Sequence, residues 1–278
     1  MDRRMLGNAA WGFRELELKK QLEVTGGMGL AFHELGIANG VRDVPPDASA
    51  EELLYVKRCY EEFGIRLWCA ATGNDFTLPG EGAVEAEVRK VFRVIDAAEG
   101  LGIPYLRIFA GFSPVEEVTG KRWDRMAGAL RRAACYGEAH QVTLCIETHG
   151  GVSRFADGVM HYHSVTTQKD ALCRLLEEGP EGICFVYDPA NLFAAGVEEP
   201  EEIYTMIRAK TAYIHLKDFT RLPNGHLRPA ACGQGGMDWS AVLDSAADFQ
   251  GPVLFEYENP QTVEEGSRAC LEYVGGHI

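Results

Sequence analysis

Short apolar runs alternate with amphipathic stretches along the whole chain, and each kind keeps its own period. Val142 to Gly151 (VTLCIETHGG) shows the first kind. Read at period two, Thr143, Cys145 and Glu147 share one face, and Val142, Leu144 and Ile146 share the other. The branched face suits a covering layer of helices, and the smaller face suits a tight interior. Further strands are expected at Met5–Phe13, Gly29–Gly36, Ile65–Ala71, Tyr105–Ala110, Ile183–Tyr187, Ala212–Leu216 and Val253–Phe255. Helices are expected between them, first at Glu15–Val24. Ser49-Ala-Glu-Glu52 is a capping-box signature, followed by Leu53, Val56, Tyr60 and Phe63 at helical spacing and a stop at Gly64. Val84, Val88, Val91, Ile95 and Ala98 form an apolar stripe that ends before Gly100 and Gly102. Later helices are expected at Trp123–Ala139, Thr167–Glu178, Pro200–Lys210, Ser240–Phe249 and Thr262–Val274, the last opening with a second capping box, TVEE. Two long polar loops break the rhythm, Gly150–Thr166 and Asp218–Met237, the latter containing GQGGMDW.

Serial strand-helix units imply parallel strands joined by right-handed crossovers. An open doubly wound sheet is one solution. Eight evenly spread units with no leftover segment fit a closed α/β barrel better, because closure removes the exposed edges. The expected fold is therefore a single (β/α)8 TIM barrel over residues 1–278, with no linker to mark a second domain. A hydrophobic fraction of 46% is ample for that core. Formal net charge is −14, from 41 acids against 27 bases, which disfavours nucleic acid and anionic membranes as partners. Eight cysteines occur with no CxxC pair, so they read as small buried hydrophobes in a reducing compartment. The start, MDRRMLGNAAWGF, lacks an apolar segment of signal length, and no run approaches the roughly 18 apolar residues of a membrane span. A cytoplasmic location is expected.

Function in such a barrel sits at the C-terminal ends of the strands. Glu147 follows LCI, Asp188 follows CFVY, His215 follows AYI and Glu256 follows VLF, on four successive strands. A lone acid at a strand end usually just begins a solvated loop, and a lone histidine is often a satisfied core residue. Four such groups at equal depth are harder to dismiss, because clustered anions without a cation are costly in a barrel mouth. Together they suit one divalent metal ion, and Mn, Mg, Co and Zn remain open. His149, Lys217 and Glu258 lie two residues beyond a proposed ligand and are expected to face the same mouth one step out. His149 and Lys217 are candidate substrate contacts or proton carriers, and Glu258 is a reserve ligand. Arg107, a charge inside an apolar strand, needs a carboxylate or the substrate as partner. Trp11, Phe112 and Trp239 are read as packing residues before sugar-stacking ones, and His161 and His163 as part of an exposed loop.

In this order, ETHGG, YDPANLF, YIHLKDF, GQGGMDW and FEYEN resemble the xylose isomerase-like TIM barrels, which include sugar isomerases and epimerases, inosose dehydratases and apurinic-site endonucleases. The resemblance is carried by the second half of the chain and by pattern alone in the first. It implies that Glu147, Asp188, His215 and Glu256 match the single-metal set of the ketose 3-epimerases, in which the two glutamates also move protons on opposite faces of a bound sugar. It further implies that Arg221 matches an arginine contacting substrate hydroxyls. Asn191 stands where those epimerases carry a substrate-binding histidine, which is a departure. The expected activity is metal-assisted proton transfer on a small carbohydrate through an enediolate, with His149, Asn191, Lys217, Arg221 and Arg107 as substrate-binding residues. Dehydration of a keto-polyol is the alternative, since its first step is the same. The endonucleases need extra histidines that this chain lacks, and the intact ligand set argues against a merely sugar-binding barrel. Neutral substrates are favoured over phosphorylated ones, because no phosphate-binding loop is evident around the last two strands. A homo-oligomer is compatible with the resemblance.

Overall fold

A computed structural model, describing residues 5–40 and 42–277, resolves this alternation into a ring of parallel strands with helices outside it. In chain order the first elements are β1 (Leu6–Asn8), α1 (Leu18–Gly27), β2 (Phe32–His33), β3 (Leu35–Gly36), α2 (Ala50–Phe63), β4 (Cys69–Ala71), α3 (Glu81–Leu101), β5 (Tyr105–Ile108), α4 (Gly120–Ala139) and β6 (Thr143–Glu147). There follow β7 (Gly151–Phe155), β8 (Gly158–Tyr162), α5 (Lys169–Glu178), β9 (Cys184–Tyr187), α6 (Pro189–Ala194) and α7 (Pro200–Ile207). The chain ends with β10 (Thr211–Leu216), β11 (Asp218–Arg221), β12 (Leu227–Ala230), α8 (Trp239–Ser245), β13 (Val253–Phe255) and α9 (Val263–Gly275).

The parallel strands run in the order β2–β1–β13–β10–β9–β6–β5–β4–β3. β2 and β3 are two pieces of one strand with only Glu34 between them, the first paired with β1 and the second with β4. The sheet therefore comes round almost to closure, as an α/β TIM barrel whose second strand is interrupted. Side-chain parity divides the core as expected. Cys145 packs inside the ring with Phe32, Cys69, Val186, Tyr213 and Leu254, while Leu144 and Ile146 pack outward against the helices. All eight cysteines are free.

Local sequence explains where most helices begin and end. At α2 the Ser49 and Glu52 side chains cap each other's backbone, and Gly64 ends the helix in the left-handed conformation at φ 65°. The stripe of α3 is fully buried, and that helix runs past Gly100 to a left-handed stop at Gly102. Three expectations are corrected. β1 stops at Asn8 because Trp11–Phe13 turns into a short 3-10 helix. The first helix starts at Leu18, three residues late, and extends through Gly27. TVEE forms no capping box, since the Thr262 side chain accepts no cap bond after the 3-10 turn Pro260–Thr262.

The larger correction concerns the two polar loops, which are largely strand. β7 and β8 form a hairpin, β11 and β12 another, and Leu227 pairs with Val159 to join them as the antiparallel sheet β11–β12–β8–β7. Asp218 anchors this sheet. Its buried carboxylate accepts bonds from Phe219 N (2.8 Å), Trp239 Nε1 (2.7 Å), Gly235 N (3.1 Å) and Gly233 N (3.2 Å). A Cβ on Gly235 would stand 2.1 Å from that carboxylate, which accounts for a glycine in GQGGMDW. Gly151 is likewise required by space, because a Cβ there would strike the Tyr162 ring at 1.9 Å. No helix among the described residues is long and apolar enough to cross a membrane.

Candidate metal centre

Four strand ends deliver the candidate ligands. Glu147 closes β6, Asp188 follows β9, His215 lies within β10 and Glu256 follows β13. All four are buried, and one donor atom from each falls within 4.8 Å of the others. His215 Nδ1 is 3.5 Å from Glu147 Oε1 and 3.5 Å from Glu256 Oε1. Neither His215 Nδ1 nor Asp188 Oδ2 has a hydrogen-bond partner of acceptable geometry, although both are buried. Three carboxylates and one imidazole form a hard, mainly oxygen donor set, and the imidazole nitrogen facing the cluster has no hydrogen bond. Glu147, Asp188, His215 and Glu256 would hold a hard divalent ion, which would offset the cost of gathering three buried carboxylates. The residues present fit a divalent metal.

Around the ligands lies a ring of fixed partners. His215 Nε2 faces Glu34 Oε1 at 3.3 Å. Glu34 in turn accepts from Tyr213 OH (2.8 Å) and Ala10 N (3.1 Å), so its orientation is fully determined. A carboxylate on the far nitrogen orients the imidazole and leaves Nδ1 for the cluster. Glu147 Oε1 accepts from Asn191 Nδ2 at 3.0 Å, and Oε2 lies 3.2 Å from Arg107 Nε. Lys217 Nζ donates to Glu256 Oε2 (2.6 Å) and Glu258 Oε1 (2.7 Å) and stands 3.1 Å from Asp188 Oδ2.

These contacts split the carboxyls electrostatically. Burial would raise Glu147, but Arg107 and His215 hold it far below the usual carboxylate range. Asp188 is pushed up to about 7 by burial, with Lys217 opposing and Glu147 and Glu256 reinforcing. Glu256 is also raised, first by burial, against the pull of Lys217 and His215. Lys217 stays firmly charged, because Asp188, Glu256 and Glu258 outweigh the burial that opposes its charge.

Above the cluster opens a cavity of about 400 Å³, walled by Trp11, Phe109 and Phe112 on one side and by the β7–β8 hairpin on another. Glu147, Glu256, Lys217, Glu258, Arg107 and His149 all line it. His149 Nδ1 is bonded to the Gly150 carbonyl, which can only accept, so Nε2 keeps its lone pair. Two of the expected substrate contacts are placed elsewhere. Asn191 is buried behind Glu147 and does not line the cavity, because α6, capped by Asp188, turns its amide onto the glutamate. Arg221 is exposed at the end of β11 with its guanidinium over the Phe193 ring at 5.5 Å, since the hairpin carries it outward.

Other residues move into the site. Trp11 and Phe112, read as packing residues, line the cavity, whereas Trp239 is buried against Asp218. His161, read as part of an exposed loop, lines the cavity from β8, its Nδ1 buried without a partner and its pKa lowered to about 3 by burial and by His149. His163 bonds Thr167 away from the cavity. Glu34 was not among the sequence candidates. Its only signal was an acid inside the apolar run AFHELG.

Residues 24–274 match the family model described as the xylose isomerase-like TIM barrel. No curated protein matches the chain. Among solved structures, a xylose isomerase domain protein from Planctomyces limnophilus aligns with a TM-score of 0.75 at 16% identity, over 98% of this chain and 96% of that one. The probable 3-DHS dehydratase AsbF from Bacillus anthracis aligns at 0.74 and 14%, over 96% and 97%. A D-allulose 3-epimerase from Methylomonas sp. aligns at 0.74 and 13%, over 100% and 99%.

Proposed function

The chain belongs to the xylose isomerase-like TIM barrel family, and from that premise we propose that it is a divalent-metal-dependent enzyme that transfers protons on a small sugar or sugar-like polyol. The observation that carries the reading is the convergence of Glu147, Asp188, His215 and Glu256 beside a cavity that the two glutamates line, with the buried His215 Nδ1 left without a hydrogen bond. The names of the similar structures, two sugar-acting and one dehydrating, support the same chemistry. A bound divalent ion supplies positive charge that makes a C–H next to a carbonyl acidic enough to ionise.

The chain's own groups are arranged unequally about that C–H. Both oxygens of Glu147 are engaged, by Asn191 and by Arg107, and its carboxyl is held strongly acidic. It serves to hold and orient. Glu256 shares Lys217 with Glu258, all three on the cavity wall, and its Oε1 lies 3.5 Å from His215 Nδ1, outside hydrogen-bond range. Glu256 is therefore the base that takes the proton, while the C–H electron pair becomes the double bond of an enediolate. Delivery of a proton to the same carbon from the opposite face, which needs a donor other than Glu256, gives an epimer, and return by Glu256 to the neighbouring carbon on its own face gives an isomer.

The same asymmetry favours dehydration as a second reading. One carboxylate with an adjoining ammonium can remove the C–H proton and then protonate a departing hydroxyl on the same face, with net loss of water. Manganese-loaded protein incubated in D₂O with ketoses, aldoses and inososes should incorporate deuterium at one carbon, and product mass separates the two readings. Glu256→Gln should abolish incorporation. Retained incorporation in that variant, or none with any substrate class, defeats the proposal.

A further inference from the structure

Two guanidinium groups have no carboxylate ion pair among the described residues: Arg154 lines the cavity, and Arg14 packs on Trp11, which also lines it. Arg154 comes from the hairpin: Val152 and Arg154 on β7, with His161 and Val159 opposite them on β8, all line the cavity. Arg14 comes from the other side, after the short helix Trp11–Phe13. It lies over the Trp11 ring at 4.4 Å, and its hydrogen bonds go to the carbonyls of Trp11 (2.7 Å) and Glu258 (3.2 Å) and not to a carboxylate.

The deeper cations are different. Arg107 is matched by Glu147, and Lys217 by Glu256 and Glu258. In a chain with 41 acids and 27 bases, acidic partners for these arginines are plentiful, yet none pairs with them among the described residues. An unmatched guanidinium on a cavity wall presents a fork suited to carboxylate or phosphate oxygens. The sequence expectation of a neutral substrate rested on the last two strands. These arginines come from the first strand-to-helix connection and from the hairpin, away from those two strands.

We propose that the substrate carries an anionic group, carboxylate or phosphate, at the end remote from the four-ligand cluster, and that Arg154, backed by Arg14, selects for it. This rests on the reading of a polyol bound with its reacting end at that cluster. Calorimetry on manganese-loaded protein with fructose, fructose 6-phosphate and fructuronate tests it. One of the two acids should bind about tenfold or more tighter than fructose, and the preferred acid distinguishes phosphate from carboxylate. In Arg154→Met that ratio should fall below about threefold, and Arg154→Lys should keep part of it. Raising the salt concentration should shrink the ratio in the unaltered protein. Equal affinities, no measurable binding of either acid, or a ratio that survives Arg154→Met overturns the proposal. Because the readout is binding, a failed reaction assay leaves this result standing. Deuterium uptake from neutral sugars with equal affinities would instead defeat this inference alone.

Discussion

The His215 imidazole meets carboxylates on both sides: Glu147 and Glu256 at Nδ1, Glu34 at Nε2. Only the first pair was evident from strand ends. Glu34 lies far away in sequence, and its role depends on ring closure bringing the second strand against β1 and near β10. Such partners behind a metal-binding histidine typically change metal affinity by about 10- to 100-fold when altered. Glu34→Gln keeps the shape and removes the charge, so its manganese Kd by calorimetry should rise by that amount with the fold intact. A Kd within about twofold of the original would remove Glu34 from this role. The two glutamate ligands should also separate: Glu147→Gln should mainly weaken metal retention, and Glu256→Gln should mainly stop proton exchange at saturating metal.

At the level of elements, the barrel strands were legible because burial on both faces makes them apolar, and the helices because their stripes keep the helical period. The second sheet was not legible. β7 (GVSRF) and β8 (GVMHY) are short and only partly buried, and their pairing with β12 joins two segments distant in sequence. The same sheet explains the misplacement of His161 and Arg221, since strand pairing turned one into the cavity and the other to solvent. Asp218 is the residue to test here. Asp218→Ala removes an acceptor of four N–H donors in a buried site, and stranded donors cost about 1–3 kcal/mol each. A loss of at least about 3 kcal/mol is expected, read from the urea midpoint at unchanged m-value. A loss below about 1 kcal/mol would show that this anchor does not hold the sheet.

The whole molecule should respond to acid through a buried imidazole, that of His33. His33 is fully buried against Tyr60 OH at 2.8 Å, and burial lowers its pKa from 6.5 to about 4. Between those values the unfolded chain binds a proton that the folded chain refuses, so stability rises with pH across the window and falls on acidification. The span corresponds to about 3 kcal/mol, gone by the time pH passes below about 4. Urea midpoints measured from pH 7 to pH 4 should show this slope, and His33→Asn should flatten it. The division of labour between halves of the chain has one more consequence, and it concerns assembly. Every proposed ligand lies between Glu147 and Glu256, whereas Glu34 and Arg107, which steer His215 and Glu147, belong to the earlier strands. A chain whose later strands had come together first would own the full set of ligands and still grip an ion loosely. Firm metal capture then reports the moment the ring is sewn shut at the broken second strand, and in refolding it should trail the return of helical signal.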